Sequence, residues 1–508
     1  MQDAQTNWFV GAVETTNALV WGSDAIQYPP VLILLLGTGL FLTIRLGFMP
    51  ILKLPYGFAQ LFKKRDTAAE EGDVSPFGAL MTALSSTIGT GNIAGVAVAI
   101  AIGGPGAIFW MWMTALLGMA SKYAEGLLAL RFRETDGEGR HVGGPMYYIK
   151  NGMGPKWVWL AVMFAAFGVL ASWGTGAYIQ ANSVADALRA GVADLAPNAE
   201  GLYAATPLIT GLVLGGGAAA VILGGITRIA NVASRLVPAM AFAYLAGGLI
   251  VIFMNIGAVP AAVGSIFSNA FGFDAAKGGF IGGLLLLAMQ KGVARGIFSN
   301  EAGQGSAPIA HAAAKNHDPV NQGVVAMLGT FIDTIVVCSI TAIVILSANV
   351  IPDACAPFTR PELLSLPENA GCLTGAPLTA AAFESALPGV GRWIVTIGLL
   401  LFAFTTILGW SYYGERCAEY LFGEKAVVPF RFSWIAVVFF GASVLLLENN
   451  PSITGLVNLF WLVADTLTGL MAAPNLVALI ALSPLIVRMT KEYFEREAEA
   501  KTLAAAKD

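Results

Sequence analysis

Apolar runs bounded by charged residues, Pro or Gly divide the chain into eleven segments that are long enough to cross a membrane. They cover residues 30–48, 77–102, 106–131, 158–186, 206–225, 232–254, 279–312, 321–348, 391–416, 430–447 and 453–489. The last run is long for one span and contains a break around Thr468 to Pro474. Because a second crossing would move Arg488 and Lys491 out of the cytoplasm, we predict a single span there. The pattern predicts an all-α polytopic membrane protein.

Two of the eleven segments are interrupted by polar and glycine residues. Ser85 to Asn92 interrupts the segment 77–102, and Gly292 to Ser306 interrupts the segment 279–312. Since lipid cannot hydrogen-bond an opened backbone, each break indicates that protein, ion or substrate groups satisfy it. Interrupted helices in corresponding positions of two halves are typical of inverted-repeat secondary transporters, with a binding site near the membrane midplane.

Loop charge assigns sides to this arrangement. Basic residues such as Lys53, Arg133 and Arg140 fall in alternate loops. The positive-inside rule places these loops on the cytoplasmic side of the membrane, which we expect to be the cell inner (plasma) membrane. The N-terminus is then outside and the C-terminus cytoplasmic. Four parts follow, namely 1–76 (outside N-terminus, one extra span and a cytoplasmic loop), 77–254 (first five-helix repeat), 255–489 (second repeat) and 490–508 (cytoplasmic tail).

The ends of the first broken helix suggest what binds there. Asn92 is a good N-cap for its outer half, so the N–H groups of Thr90 and Gly91, at the positive end of the helix dipole, suit a carboxylate. The carbonyls of Ser85 and Ile88, at the opposite end, suit a cation. We assign Gly95, four residues after Gly91, to close packing of two helices.

Composition narrows the class of protein. Hydrophobic residues make up 56% of the chain and charged residues 12%, while the net charge of −4 gives no footprint for nucleic acid. The sequence has no phosphate loop or metal-spaced motif, so we do not expect an enzyme. A channel stays open as a rival, because two broken helices do not exclude it.

Ionisable residues within the predicted spans are few. Glu301 lies in the second break, where pairing with a basic group, binding an amine and taking a proton are all open, and we favour a structural or gating role. Asp333 is a candidate for a second ion site or an ion pair. Lys122 and Glu125 are expected to snorkel to the cytoplasmic interface.

Cysteine usage leaves one question open. Cys355 and Cys372 lie in the longest outside loop, where a disulfide and two free thiols are both open.

Several segments together resemble the alanine or glycine:cation symporter family of the amino acid-polyamine-cation superfamily. They are SSTIGTGNIAG (85–95), GGPGA (103–107), KYAE (122–125), GGPMYY (143–148) and FSNEAGQG (298–305). The resemblance implies a leucine-transporter-type fold of two inverted five-helix repeats plus one extra N-terminal span. It also implies sodium-driven import of alanine, glycine or a similar small neutral amino acid by alternating access. A larger substrate such as glutamine, and proton coupling, remain alternatives, and the oligomeric state is open.

The same resemblance implies a sodium site on the segment 391–416. Thr405 and Thr406 match its pair of adjacent hydroxyls, and the Phe402 carbonyl lies on the same helical face. With the carbonyls of Ser85 and Ile88 they form a set of hard oxygen ligands. The alternative is that both hydroxyls bond back to a carbonyl one turn earlier.

Other polar and aromatic residues are substrate candidates within this fold. Trp410 follows Thr406 by one turn and is expected to limit the cavity to alanine size, unless it only fills space between helices. Tyr178 and Gln180 are candidates for covering the substrate and binding its amine, with polar contact between helices as the alternative. Asn300 and Gln304 are expected to bind the amine or an ion.

Overall fold

The computed structural model describes residues 2–23, 26, 29–63, 71–196, 198–271, 281–351, 373–447 and 451–505. Its α-helices are α1 (Gln2–Trp21), α2 (Pro30–Arg45), α3 (Met49–Leu52), α4 (Leu54–Phe62), α5 (Pro76–Thr87), α6 (Val96–Gly103), α7 (Gly106–Arg131), α8 (Pro145–Tyr148), α9 (Val158–Ala171), α10 (Ile179–Leu195), α11 (Glu200–Ile222), α12 (Gly225–Met254), α13 (Val259–Ala270), α14 (Ile281–Asn300), α15 (Ala307–Ala312), α16 (Pro319–Thr330), α17 (Ser339–Ala348), α18 (Gly375–Ala386), α19 (Gly391–Phe422), α20 (Val427–Ser443), α21 (Pro451–Ala481) and α22 (Ser483–Ala505).

Shorter elements join or extend these helices. The π-helical segments are Gly91–Gly95, Ile149–Met153, Ser172–Tyr178 and Phe331–Cys338, and the 3-10 turns are Pro155–Trp157, Glu424–Ala426 and Val444–Leu447. Strand β1 (Glu134–Thr135) pairs antiparallel with β2 (His141–Val142), with Glu134 opposite Val142.

Membrane-crossing helices dominate the described chain. Seven helices are long and apolar enough to cross a membrane, and the bent pair formed by α5 and Gly91–Gly103 makes an eighth. The other three predicted spans are also helical, as α2 with 16 residues, α7, and the interrupted pair of α14 and α15. The predicted all-α polytopic fold is confirmed.

The surface of the bundle matches this assignment. Large apolar side chains such as Phe242 and Phe253 are 75% and 78% exposed on α12. In water, a face of this kind would drive association. Against lipid tails it is already solvated, so the helices that carry these residues form the perimeter of the bundle.

The chain after residue 451 differs from the prediction. Helix α21 continues through Thr468 and Pro474 to Ala481, so the predicted break at those residues is wrong, and α22 begins at Ser483. A proline is tolerated inside a membrane helix because neighbouring groups satisfy the freed carbonyl. The segment from 490, predicted as a tail, is part of α22, and the Tyr493 hydroxyl lies 2.7 Å from that of Tyr56.

Helix α1 was not predicted. It packs beside α21, where Asn17 bonds Thr466 at 3.0 Å and the Trp21 indole donates to the Asp465 carbonyl at 3.1 Å. Its mixed composition, with Asp3, Glu14 and several polar residues among the apolar ones, concealed it because no long apolar run marks it.

One end of the bundle, here called the basic face, gathers the basic loops and their partners. Arg133 donates to the Ala314 carbonyl at 2.8 Å, and Arg496 lies 3.3 Å from Asp318. In the turn between β1 and β2, Arg140 pairs with Asp136 at 2.7 Å. Burial of the Asp136 carboxyl favours a higher pKa, but the hydrogen bonds from Arg140 and the charges of Arg140 and Arg416 lower the pKa overall.

The end of the bundle opposite to the basic face carries α13 and α18. The Thr379 hydroxyl on α18 donates to the Ile93 carbonyl at 3.0 Å, so α18 covers the start of the second half of the first broken helix. Cys355 and Cys372 lie outside the described residues, so a disulfide and two free thiols both stay open.

Candidate substrate and cation site

The first break is made by one side chain. The Gly89 N–H donates to the Asn92 side-chain oxygen at 2.9 Å, and no longer to the carbonyl of Ser85 four residues back. Helix α5 therefore ends at Thr87, and the chain turns by 54° before it resumes at Gly91. The carbonyl of Ser85 is left without its helical donor.

The prediction that Asn92 caps the second half of this helix is wrong. Thr90 occupies the cap position, Gly91 is the first helical residue, and Asn92 lies one residue inside. The reason is that its side chain bends back to Gly89 and does not reach forward. The N–H groups of Thr90 and Gly91 are still the first of a helix, where no intrahelical acceptor exists.

The start of this second half touches the second broken helix. A Cβ built on Gly91 would lie 3.3 Å from the Ser299 Cα on α14, whereas one built on Gly95 would meet no atom within 4 Å. The assignment of Gly95 to close helix packing is therefore wrong, and Gly91 is the glycine at the close approach. The two breaks meet at the centre of the bundle.

In the second break the chain leaves helical geometry between α14 and α15. Glu301 adopts a left-handed φ of 54°, followed by Gly303 and Gly305 at 82° and 84°. A non-glycine residue in this region costs roughly 1–2 kcal/mol. The hydrogen bonds made by the Glu301 carboxylate offset that cost, since Trp410 and Ser306 each donate to it.

Asn300 and Gln304 satisfy groups that the second break exposes. The Asn300 side chain accepts from the Ala302 N–H at 3.0 Å and donates to the Thr334 hydroxyl at 3.1 Å. The Gln304 amide donates to the Ile297 carbonyl at 3.0 Å, while its side-chain oxygen is buried with no partner among the described residues. Asn300 thus holds the break, and the Gln304 oxygen is available to a donor.

Asp333 connects the two breaks, a contact that the sequence did not reveal. Asn92 donates to one carboxylate oxygen at 2.7 Å, and Ser299 and Thr334 donate to the other at 2.8 and 2.7 Å. The carboxylate is fully buried and receives three donors. Asp333 lies beyond Thr330 in a π-helical segment, a feature that short sequence patterns do not mark.

Helix α19 places its two threonines as expected but bonds them internally. The hydroxyls of Thr405 and Thr406 both donate to the Phe402 carbonyl, at 2.9 and 3.0 Å. This is the back-bonded alternative. The three oxygens nevertheless converge, and a Cβ built on Gly89 would lie 2.6 Å from the Thr406 hydroxyl oxygen. The cluster therefore lies against the first break, next to Ile88.

Ser85 contacts the same helix one turn further on. A Cβ built on Gly409 would lie 2.7 Å from the Ser85 hydroxyl and 2.9 Å from the Ser86 nitrogen. Only a glycine permits α5 and α19 to approach this closely. The end of α5 is thus held against α19, one turn from Thr406.

Trp410 lies between the breaks and the π-helical segment Ser172–Tyr178. Its indole donates to Glu301 at 2.8 Å, and its Cβ packs on Gly176, where a built Cβ would approach to 2.3 Å. Gln180 is also near the first break, because its side-chain oxygen lies 3.6 Å from a Cβ built on Gly89. That oxygen is buried without a partner among the described residues.

Tyr178 is the exception among the predicted substrate residues. Its ring packs against Phe440 and Phe460, with centroids 6.1 and 5.4 Å apart, on the side of α20 and α21. The described contacts of its side chain do not include either break. Tyr178 lies two positions before Gln180, which is about 200° around a helix, so the two side chains point in different directions.

Lys122 and Glu125 do not snorkel, contrary to the prediction. Their side chains are 3% and 1% exposed. Glu125 accepts from the Gly305 N–H at 3.1 Å and from the Asn475 amide at 2.7 Å. It therefore stabilises the backbone of the second break. The prediction failed because it used distance from the span end and had no information on what covers that end.

The structure defines a polytopic membrane protein whose two interrupted helices meet at a buried polar centre, the arrangement of a secondary transporter. Comparison with known proteins then gives the family. The family model described as the sodium:alanine symporter family matches residues 8–507. The chain belongs to the sodium:alanine symporter family, as the motif resemblance predicted, and this family comprises transporters and not enzymes.

Two relatives and one solved structure illustrate the similarity. The sodium/alanine symporter AgcS of Methanococcus maripaludis is 49% identical, covering 97% of this chain and 99% of its own. The probable sodium/glutamine symporter GlnT of Bacillus subtilis is 34% identical over 98% and 93%. The crystal structure of the Eremococcus coleocola manganese transporter, in complex with an aromatic bis-isothiourea substituted compound, covers 82% of this chain and 95% of its own at 13% identity. Its TM-score of 0.47 is too low to bear on the fold.

Proposed function

We propose that the protein imports a small neutral amino acid, alanine or glycine, together with sodium by alternating access. The observation that carries the proposal is the meeting of a helix start at Thr90 and Gly91 with an oxygen cluster on α19. One place thus offers donors for an anionic group and acceptors for a cation. The relative AgcS, at 49% identity, is a sodium/alanine symporter.

The substrate carboxylate binds to the N–H groups of Thr90 and Gly91 in this proposal. These groups lie at the positive end of the helix formed by Gly91–Gly95 and α6, which favours an anion. Side-chain oxygens of Gln180 and Gln304, which have no donor among the described residues, are placed to accept from the substrate amine. Asn92 and Asn300 do not bind the substrate directly in this proposal. They hold the backbone of the two breaks.

The sodium ion binds between the first break and α19. Its ligands are the carbonyls of Ser85, Ile88 and Phe402 with the hydroxyls of Thr405 and Thr406. A hydroxyl that donates to a carbonyl can rotate its hydrogen away and offer a lone pair, so the internal bonds do not exclude this role. Five neutral oxygens of this kind suit a hard monovalent cation better than a soft metal.

Trp410 sets the size of the substrate. The indole is buried, anchored to Glu301 on one side and to Gly176 on the other, so it leaves little freedom for a long side chain. A carrier for a larger neutral amino acid is the second candidate, because the relative GlnT is a probable sodium/glutamine symporter. The position of Trp410 favours alanine or glycine.

We further propose that the basic face is cytoplasmic, with the N-terminus outside and the C-terminus inside the plasma membrane. The positive-inside rule supports this direction. The two five-helix repeats, 77–254 and 255–489, are supported by the position of a break in the first predicted span of each, and α22 begins at Ser483, just before the end of the second range.

The test is counterflow in proteoliposomes. Purified protein preloaded with unlabelled alanine should accumulate radiolabelled alanine in the presence of sodium and should not do so with potassium alone. A panel of L- and D-amino acids as competitors ranks the substrates. Failure of sodium to stimulate any amino acid in the panel would overturn the proposed function.

A further inference from the structure

Lys122 is a buried charged residue that has no role in the transport function proposed above. Its side chain is 3% exposed, and its ammonium makes no hydrogen bond with any described residue. Removing an ion from water costs several kcal/mol even after relaxation, unless opposite charge compensates it. The surroundings of Lys122 therefore show what its charge acts on.

The packing of α7 fixes the direction of this side chain. A Cβ built on Gly118 would lie 2.6 Å from the Ala302 Cβ in the second break, and one built on Gly126 would lie 2.5 Å from the Ala326 Cβ on α16. Gly118 and Gly126 lie one turn before and one turn after Lys122, on the same helical face. Lys122 therefore faces the second break and α16.

Four ionisable groups, each on a different element, interact electrostatically with Lys122. They are Glu125 on α7, Glu301 in the second break, His311 on α15 and Asp333 in the segment Phe331–Cys338. His311 bonds Gln322 at 2.7 Å. The three carboxylates outnumber the single lysine, so the ammonium is the positive charge that they share.

Glu301 is the carboxylate that reaches the central site. One oxygen of Glu301 accepts from the Trp410 indole, which can only donate, and the other bonds the Ser306 hydroxyl. An ionised Glu301 accepts from both groups. A hydrogen bond to an ionised acceptor is about twice as strong as one to a neutral acceptor. Loss of that charge would loosen Trp410.

We propose that Lys122 is a positioning residue that keeps Glu301 ionised and thereby holds the Trp410 indole in place over the substrate site. Lys122 itself touches no substrate. It acts through space, because a charge in a low-dielectric interior is felt at distances where water would screen it. The proposal rests on the proposed function for its transport readout.

The test is a set of double variants assayed for sodium-driven alanine uptake. Lys122→Met should raise the KM for alanine about tenfold at saturating sodium, with the maximal rate little changed. Lys122→Arg, which keeps the charge, should restore most of the affinity. In a Glu301→Gln background, Lys122→Met should have no further effect, because the amide still accepts from Trp410 and has no charge to lose.

Glu125→Gln is the matched control background, since Glu125 is the other carboxylate near Lys122 on α7. There, Lys122→Met should retain its full tenfold effect. An equal effect in the Glu301→Gln background would overturn the positioning role. If Lys122→Met is not recovered as folded protein, Lys122→Gln carries the same comparison.

A readout without substrate separates this proposal from the proposed function. Lys122→Met should shift the tryptophan emission of the purified protein, and the shift should vanish in a Trp410→Phe background. If the shift appears while no variant transports alanine, the proposed substrate is wrong and the positioning role stands. If alanine uptake is normal and Lys122→Met changes neither KM nor emission, the positioning role is wrong.

Discussion

Gly89→Ala tests the proposed sodium site with a single methyl group. The added Cβ would lie 2.6 Å from the Thr406 hydroxyl oxygen, whereas ordinary van der Waals contact begins at 3.4 Å. The oxygen must therefore move by about 0.8 Å, or Thr406 must change its rotamer. Either response separates the Thr406 hydroxyl from Phe402 and the first break.

The magnitude follows from the cost of overpacking. Inserting a methyl group into a filled site costs about 1–3 kcal/mol, and 1.4 kcal/mol corresponds to a factor of about ten in affinity. We expect the sodium concentration for half-maximal alanine uptake to rise about tenfold. The KM for alanine at saturating sodium should change much less, since the N–H groups of Thr90 and Gly91 remain.

The assay is initial alanine uptake into proteoliposomes as a function of sodium. Gly95→Ala is the matched control on the same broken helix, because its Cβ would meet no atom within 4 Å. It should leave the sodium curve unchanged. Thr406→Ala should reproduce the sodium defect, and adding Gly89→Ala to it should cause no further loss. Additive defects in the double variant would refute the reasoning, as would a sodium curve for Gly89→Ala that matches the parent.

Three further predictions concern the surroundings of the site. Trp410→Phe should raise the KM for alanine about tenfold, since a hydrogen bond to a charged acceptor contributes about 1.5–3 kcal/mol. Trp410→Ala should also admit bulkier amino acids. Competition profiles unchanged from those of the parent would place Trp410 outside the pocket. Asn475→Ala should lower the free energy of unfolding by about 2 kcal/mol, because it removes the amide donor to Glu125 inside the protein, and thermal melts in detergent measure this. Asp136→Asn should lower the melting temperature at neutral pH. Because the folded pKa of Asp136 is below its usual value, the stabilisation by Arg140 is present above about pH 4 and is lost as the pH falls. The two melting curves should therefore converge in acid, and a constant difference at all pH values would contradict the assignment.

The sequence predicts the membrane helices well because lipid imposes a simple rule on them. Long apolar runs located the helices to within a few residues at most ends, for example at 106–131, and two polar interruptions located both breaks. The prediction failed where an apolar run joined two separate helices, at the boundary between α21 and α22. It also failed where a helix had no apolar run, as in α1.

The site was only partly predictable. Residues on the breaks and on α19 could be chosen by their chemistry. The structure places Thr406 and Gln180 next to Gly89, Gly91 next to Ser299 and Trp410 next to Glu301. The partners that organise them, Asp333 and Glu301, depend on contacts between helices distant in the chain. A sequence pattern does not show those contacts.

Asn92 links the backbone of the first break to the carboxylate of Asp333. Its side-chain oxygen holds the Gly89 N–H, while its side-chain nitrogen donates to Asp333. Any event that alters the charge of Asp333 changes the strength of the second bond, and one rigid amide carries the change to the first. Because such coupling is reciprocal, opening or closing the backbone at Gly89 changes the free energy of the hydrogen bond between Asn92 and Asp333 by the same amount. The broken helix and the buried acid are therefore energetically coupled through Asn92.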